Sequence, residues 1–179
     1  MKGIFCGIAA GGVLAIAAFA STGDKAPPFV PDALAFAPAG GITLTGWWSE
    51  AMATCRHGRI DAQSTADLVR PFAEREENSR WRGEFWGKWL TSAVLAERYQ
   101  PQPELRQRLT ESVASLIATQ SADGALTTYK REPEFTNWDT WARKYTLLGL
   151  IAAYDMTGDA ATLAAACRHA DRILQHYGP

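Results

Sequence analysis

The sequence predicts an all-α fold in which helical hairpins repeat and form part of an α/α toroid. Between residues 84 and 177, apolar residues recur at helical spacing. Twice, a helix that is apolar on most sides is followed by a helix with a single apolar stripe. The pair Lys88-Trp89 returns one repeat later as Lys144-Tyr145. A repeat of this kind closes naturally into a ring whose inner helices surround a cavity.

The N-terminus predicts an export signal. Lys2 precedes an apolar run over residues 4–18, and Ala18-Phe19-Ala20 places small residues at the positions that a signal peptidase reads. The run is shorter than the ~20 apolar residues of a membrane span. We therefore expect residues 1–20 to be a signal peptide, the mature protein to be secreted or periplasmic, and no membrane attachment after cleavage.

The composition fits one globular domain that does not bind nucleic acid. The chain has 179 residues, of which 47% are hydrophobic, and a net charge of −1, whereas nucleic-acid binders carry concentrated basic surfaces. Cys55 and Cys167 could pair in an oxidising compartment or remain two buried thiols. His57, His169 and His176 show no metal-ligand spacing, so we expect no metal site, and the last two should be solvated. Cys167 should pack within an apolar stripe.

The elements follow in order along the chain. Residues 21–45 are rich in Pro, Ala and Gly and predict an arm or linker, and residues 46–179 predict the partial toroid. The segment ITLTGWW alternates enough to predict one strand. Earlier helices are expected over 49–56 and 65–76, and clear helices over 84–99, 103–120, 138–157 and 160–177. Asn137 and Asp159 should cap the last two helices, and Gly158 should end the third of the clear four.

Two carboxylates are candidates for catalysis. The stretch GEFWGKW opens an inner helix, and its Gly87 should let that helix approach a neighbour closely. Glu84 in this stretch and Asp139 on the next inner helix both occupy the first turn. A pair of carboxylates is what glycoside hydrolysis requires. The same positions also favour acidic residues through the helix dipole, and the sequence leaves both interpretations open.

Aromatic residues near these carboxylates predict a sugar-binding cleft. The connection before the third clear helix is long for a compact helical domain, and such loops are usually functional. We expect Trp86, Asp123, Trp138 and Trp141 to line the cleft with Glu84 and Asp139, and Trp89 to lie in the core. In the alternative interpretation, the rings only pack the ends of the inner helices.

Three segments together resemble a known family. WRGEFWGKWLTSAVLAERY, LIATQSADGALTTY and NWDTWARKYTLLGLIAAYDMTGDAATLAAACRHADRIL are similar to the N-terminal catalytic region of glycoside hydrolase family 127, the β-L-arabinofuranosidases. The resemblance implies an (α/α)6 toroid and retaining hydrolysis of a furanoside in plant-type or bacterial glycans. It also implies zinc and a cysteine nucleophile for the full-length family, on later helices that do not map onto this sequence. This chain itself should hold no cofactor. Better-characterised members carry a histidine where this chain has Gly149.

Two alternatives remain at this stage. The chain could be a non-catalytic half-domain that binds carbohydrate or associates with a C-terminal half or another chain to complete the ring. QSADGAL is also similar to the Q-x-x-DG-x-W repeat of triterpene cyclases, which are α/α toroids. Leu126 replaces the final aromatic residue of that repeat, and the D-x-D-D acid motif does not occur.

Overall fold

The computed structural model describes residues 34, 35 and 37–178, so the predicted signal peptide and most of the predicted arm lie outside the described residues. Leu34 and Ala35 belong to one unit, and residues 37–178 form the other. The second unit contains six α-helices and one π-helical segment, which confirms the all-α prediction. They are α1 (Trp47–Cys55), the π-helical segment (Arg56–Asp61), α2 (Thr65–Glu74), α3 (Gly83–Tyr99), α4 (Pro103–Ile117), α5 (Asp139–Thr157) and α6 (Ala160–Tyr177).

The predicted strand is wrong. Residues 41–45 are irregular, and Trp47 and Trp48 already belong to α1. Within residues 37–178 the only β-type pairing is a single bridge between Glu77 and Tyr129. None of the described helices is long and apolar enough to cross a membrane.

The ends of the helices follow local chemistry in most cases. The Asp159 side chain accepts a hydrogen bond from the Thr162 backbone N–H, and Gly158 ends α5 in the left-handed conformation, as predicted. The predicted cap at Asn137 is wrong, because Trp138 occupies that position. Asn137 instead adopts a left-handed conformation and its Nδ2 donates to the Asn78 carbonyl at 2.9 Å.

Helices α3 and α5 cross in direct backbone contact. A Cβ added at Gly87 would lie 1.9 Å from the Tyr145 carbonyl oxygen, so the predicted close approach is confirmed. On the other side of the crossing, a Cβ at Gly149 would lie 2.8 Å from the Trp86 ring and 3.1 Å from the Gly87 Cα. A histidine at position 149 therefore does not fit this packing.

The outer helix α4 has the predicted orientation. Its buried face carries Leu109, Val113 and Leu116, which pack into the core, while Arg106 and Glu111 are exposed. Burying one such leucine side chain contributes about 2–3 kcal/mol. This face holds α4 against the rest of the unit.

Helix α5 is not buried on most sides, contrary to the prediction. Trp141, Leu148 and Ile151 are between 41% and 46% exposed. On α3, one repeat earlier, Phe85 corresponds to Trp141 and Leu95 corresponds to Ile151. Both are also exposed. Both inner helices thus present one uncovered, partly apolar face.

The buried face of α6 also differs from the predicted stripe. It consists of Thr162, Ala165, Ala166 and His169, so the prediction that His169 is solvated is wrong. Leu163, Leu174 and Cys167 are exposed, so Cys167 does not pack in the core. Cys55 is exposed as well, and both thiols are free.

Candidate functional site

A shallow cleft of about 280 Å³ lies at the N-terminal ends of the two inner helices. Its walls are formed by Trp81, Glu84, Lys88, Trp138 and Trp141. Trp81 belongs to the turn before α3, and Trp138 directly precedes α5. Because α3 and α5 pack against each other, the segments that introduce them meet at one edge of the unit.

A larger groove of about 530 Å³ lies between residues 40–44, α1 and α3. It is lined by many apolar side chains, among them Ile42, Leu44, Met52 and Leu95, and by no carboxylate or histidine. A third, open depression beside α1 pairs the single ring of Trp47 with Glu50 and Arg59. The smaller cleft at the inner helices brings three tryptophan rings together with a carboxylate and an ammonium group.

Glu84 joins the two walls of the cleft. Its side chain is buried, its Oε1 accepts a hydrogen bond from Lys88 Nζ at 2.8 Å, and its Oε2 accepts one from Trp141 Nε1. The hydrogen bond with Glu84 raises the pKa of Lys88. Both carboxylate oxygens therefore have donors, and they fix the orientation of the Trp141 indole.

The exposed rings form a continuous row. Trp81 and Trp138 have centroids 6.1 Å apart, Trp138 and Trp141 6.4 Å, and Trp141 and Tyr145 5.3 Å, each pair edge to face. The three tryptophans are between 41% and 48% exposed. The sequence interpretation did not include Trp81 in the site. Trp81 lies just before an inner helix, as Trp138 does, and this shared position could have identified Trp81 as a residue of the site.

Trp86 does not belong to the cleft. It is fully buried, and its Nε1 donates to Ser112 Oγ on α4 at 3.0 Å. The predicted position of Trp86 on the cleft wall is therefore wrong, because α3 directs this ring into its contacts with α4 and α5. Trp89 lies in the core as predicted, and its Nε1 donates to the Ile60 carbonyl at 3.2 Å.

Asp139 faces the loop before α5 and not the cleft. It is fully buried, its Oδ2 accepts from the Phe135 N–H at 2.7 Å and from Arg143 Nε at 2.9 Å, and its Oδ1 accepts from the Thr127 hydroxyl. The predicted pairing of Asp139 with Glu84 across a cleft is wrong for this reason. Asp139 anchors the loop to the first turn of α5.

Asp123 also anchors the loop and does not line the cleft. Its Oδ2 forms ion pairs with Arg131 at 2.5 Å and with Arg172 on α6 at 3.2 Å. The hydrogen bond from Ser121, followed by that from Arg131, holds the pKa of Asp123 well below its ordinary value. The next residue, Gly124, has φ +86° and would bring a Cβ to 2.5 Å from a backbone oxygen of α6, so the Asp-Gly turn is required by packing.

His169 completes the attachment of the loop. Its Nδ1 accepts a hydrogen bond from the Leu126 N–H at 3.2 Å. Nε2 therefore carries the proton and donates to the Arg143 carbonyl oxygen at 3.3 Å. Burial, followed by the positive charge of Arg143, lowers the pKa of His169 to about 4. The histidine is neutral at pH 7, and it links α5, α6 and the loop.

The described residues do not offer a zinc site. Among them, no group of three or more His, Cys, Asp or Glu side chains could hold a metal ion. The exposed Cys55 and Cys167 lie outside any such group. The zinc that the resemblance implies for the full-length family therefore does not fit the residues of this part of the chain.

Paired inner and outer helices, with a cleft at the start of the inner pair, place the chain among helical-hairpin toroid proteins. Residues 35–178 match the family described as β-L-arabinofuranosidase, GH127 catalytic domain, and the chain belongs to this family. The structure is similar to Ara127N-Se, a GH127 β-L-arabinofuranosidase from Geobacillus stearothermophilus T6, with a TM-score of 0.58. The two share 19% sequence identity over 73% of this chain and 25% of that chain, a likeness that shows the fold. This chain thus spans about a quarter of that relative. No match is found among curated proteins.

Proposed function

We propose that the chain is the N-terminal portion of a secreted glycoside hydrolase of the β-L-arabinofuranosidase type, acting on plant-type or bacterial glycans. In this proposal, the described residues form one wall of the substrate cleft. The observation that supports it is the row of exposed tryptophans beside the Glu84–Lys88 pair, in a chain of the GH127 family.

The chemistry of the cleft suits a sugar. A sugar ring presents an apolar CH face that can lie on an exposed ring such as Trp138 or Trp141. Lys88, whose side chain is 44% exposed, can donate hydrogen bonds to sugar hydroxyls at the edge of the ring. Sites for small ligands commonly combine aromatic walls with a few polar groups that set orientation.

The catalytic groups are proposed to lie outside the described residues. Retaining hydrolysis requires a nucleophile and an acid/base group on opposite sides of the scissile bond. Glu84 is engaged with Trp141 and Lys88, and Asp139 is buried under the loop. This chain alone should therefore not release nitrophenol from a nitrophenyl β-L-arabinofuranoside, with or without zinc.

The uncovered helix faces favour a completing partner, either a C-terminal half or another chain. On α4, Val113 is buried and Ile117 is partly buried against the core. Their equivalents one repeat later, Ala170 and Leu174 on α6, remain partly or largely exposed. The same observation supports the second candidate function, a non-catalytic half-domain that binds carbohydrate within an assembly.

Calorimetric titration tests the sugar-binding role. Arabinofuranosyl oligosaccharides should bind the purified chain from residue 21 onward, and Trp141→Ala and Trp138→Ala should weaken binding about tenfold, since one aromatic stacking contact contributes ~1–1.5 kcal/mol. Trp48→Ala is the matched control, because Trp48 is also exposed but lies on α1. An equal loss in Trp48→Ala, or no binding by the unmodified chain, contradicts the proposal. Zinc-dependent release of nitrophenol by this chain contradicts the placement of the catalytic groups.

Export is tested separately. N-terminal sequencing of the secreted or periplasmic product should show that the mature protein begins near Ser21. An intact Met1 on a cytoplasmic protein contradicts the signal peptide.

A further inference from the structure

At the edge of the cleft, beside its Trp141 wall, lies a positive charge that no acidic neighbour balances. Lys144 Nζ lies 3.8 Å from the centroid of the Trp141 ring and 4.3 Å from that of Tyr145. It forms no ion pair with any residue in the described part of the chain. The Glu84 carboxylate is already paired with Lys88 at 2.8 Å. The cluster of Glu84, Lys88 and Lys144 therefore has a surplus of one positive charge, although the whole chain has a net charge of −1.

The rings hold the Lys144 ammonium without neutralising it. A cation over the face of a tryptophan is attracted by the ring quadrupole, by about 0.5–1 kcal/mol at an exposed site. Lys88 Nζ also lies close to this row of rings, 4.6 Å from the centroid of Tyr145. Two ammonium groups are thus kept beside the aromatic row, and Lys144, an exposed residue, is free to pair with an anion from solvent.

We propose that the cleft binds glycans whose sugars carry carboxylates, that is, uronic acids, and that Lys144 determines this specificity. The inference rests on the proposed function, because it presupposes that the cleft binds sugar. A uronic acid has its carboxylate attached directly to the ring. When the sugar ring stacks on Trp138, its carboxylate lies at the ring edge, towards the Lys144 ammonium that lies over the neighbouring Trp141 ring.

The test compares one acidic oligosaccharide with its neutral counterpart. Tetragalacturonate and the same tetrasaccharide with its carboxylates reduced to alcohols are titrated into the full chain at low and at high salt. The acidic ligand should bind up to about fivefold more tightly at low salt, which is what one exposed ion pair can supply. The preference should shrink at high salt, since exposed charges are screened.

Substitution of single lysines shows which residue causes the preference for the acidic tetrasaccharide. Lys144→Met should abolish the preference for the acidic over the neutral ligand, and Lys144→Arg should keep that preference. Lys130→Met is the matched control, since Lys130 is exposed on the loop before α5, whereas Lys144 lies over the Trp141 ring, and both substitutions change the net charge by the same amount. Lys144→Gln provides a second neutral variant if the methionine variant has a lower melting temperature.

Each outcome decides between the two proposals. If neither ligand binds, the uronic acid specificity is refuted, whereas the proposed sugar cleft fails only if arabinofuranosyl oligosaccharides also do not bind. If both ligands bind equally, the sugar cleft stands and the uronic acid specificity is refuted. If Lys130→Met loses the preference as much as Lys144→Met, net charge causes it, and the role of Lys144 is refuted.

Discussion

Acidification should destabilise the fold through the single buried histidine of the loop attachment. His169 has an ordinary pKa of 6.5 and a folded-state pKa of about 4. Because the folded-state value is the lower one, the unfolded chain binds the proton more readily. The stability that neutral His169 provides is therefore fully present above pH 6.5 and is lost as the pH falls from 6.5 towards 4.

The magnitude follows from these two values. Linkage over the interval from pH 7.5 to pH 4.5 gives a loss of about 2.5 kcal/mol in the free energy of unfolding. The physical cause is that protonated Nδ1 can no longer accept the Leu126 N–H and would place a second cation beside Arg143. Asp123 and Asp159, whose pKa values are also lowered, lose their contributions only below about pH 4 and so lie outside this interval.

Urea unfolding at a series of pH values between 7.5 and 4.5 measures the effect. His169→Asn keeps an acceptor near Nδ1 but cannot be protonated, so it should be less stable at pH 7.5 and should lack most of the pH slope. His57→Asn, which removes an exposed histidine from the π-helical segment, should retain the wild-type slope. Equal slopes for the wild-type protein and His169→Asn would refute the reasoning.

Other substitutions test the packing directly by chemical denaturation. Gly87→Ala should destabilise by about 1–3 kcal/mol despite better helix propensity, because its Cβ would overlap the Tyr145 carbonyl, whereas Gly58→Ala meets no atom within 4 Å and should be tolerated. Trp86→Ala should cost about 3–5 kcal/mol, and Trp141→Ala much less; similar losses would show that both rings are core. Ser64→Ala removes the side-chain cap of α2 and should cost about 1 kcal/mol, and an unchanged unfolding midpoint would argue against the cap.

The hairpin order could be predicted because its signals are local. Pro103 at the start of α4 and Asp159 with Gly158 at the α5–α6 turn act within one helical turn. The buried face of α6 could not be predicted in the same way. Its first turns are rich in alanine, which gives little contrast between faces, and His169 is buried only because the loop supplies its partner at Leu126.

The candidate site was predictable only in part, for a related reason. Glu84 and Trp141, which both occupy first turns of inner helices, line the cleft, and their sugar-binding role stays a prediction. The direction of Asp139 depends on the loop before it, where Phe135 and Asn137 adopt left-handed conformations that neither residue type favours strongly enough to predict. The number of tryptophans in the stretch GEFWGKW likewise did not reveal that Trp86 turns inward.

The glycine contact between α3 and α5 works as a pivot for the aperture of the cleft. Gly87 lies one turn beyond Glu84 on α3, and the crossing reaches α5 at Tyr145, one turn beyond Trp141. A larger side chain at the pivot would spread the two helix ends and pull the Trp141 indole away from the Glu84 carboxylate. Under the proposed function, sugar affinity depends on the spacing of these two helices, so a substitution at Gly87 or Gly149, away from the cleft wall, should weaken binding.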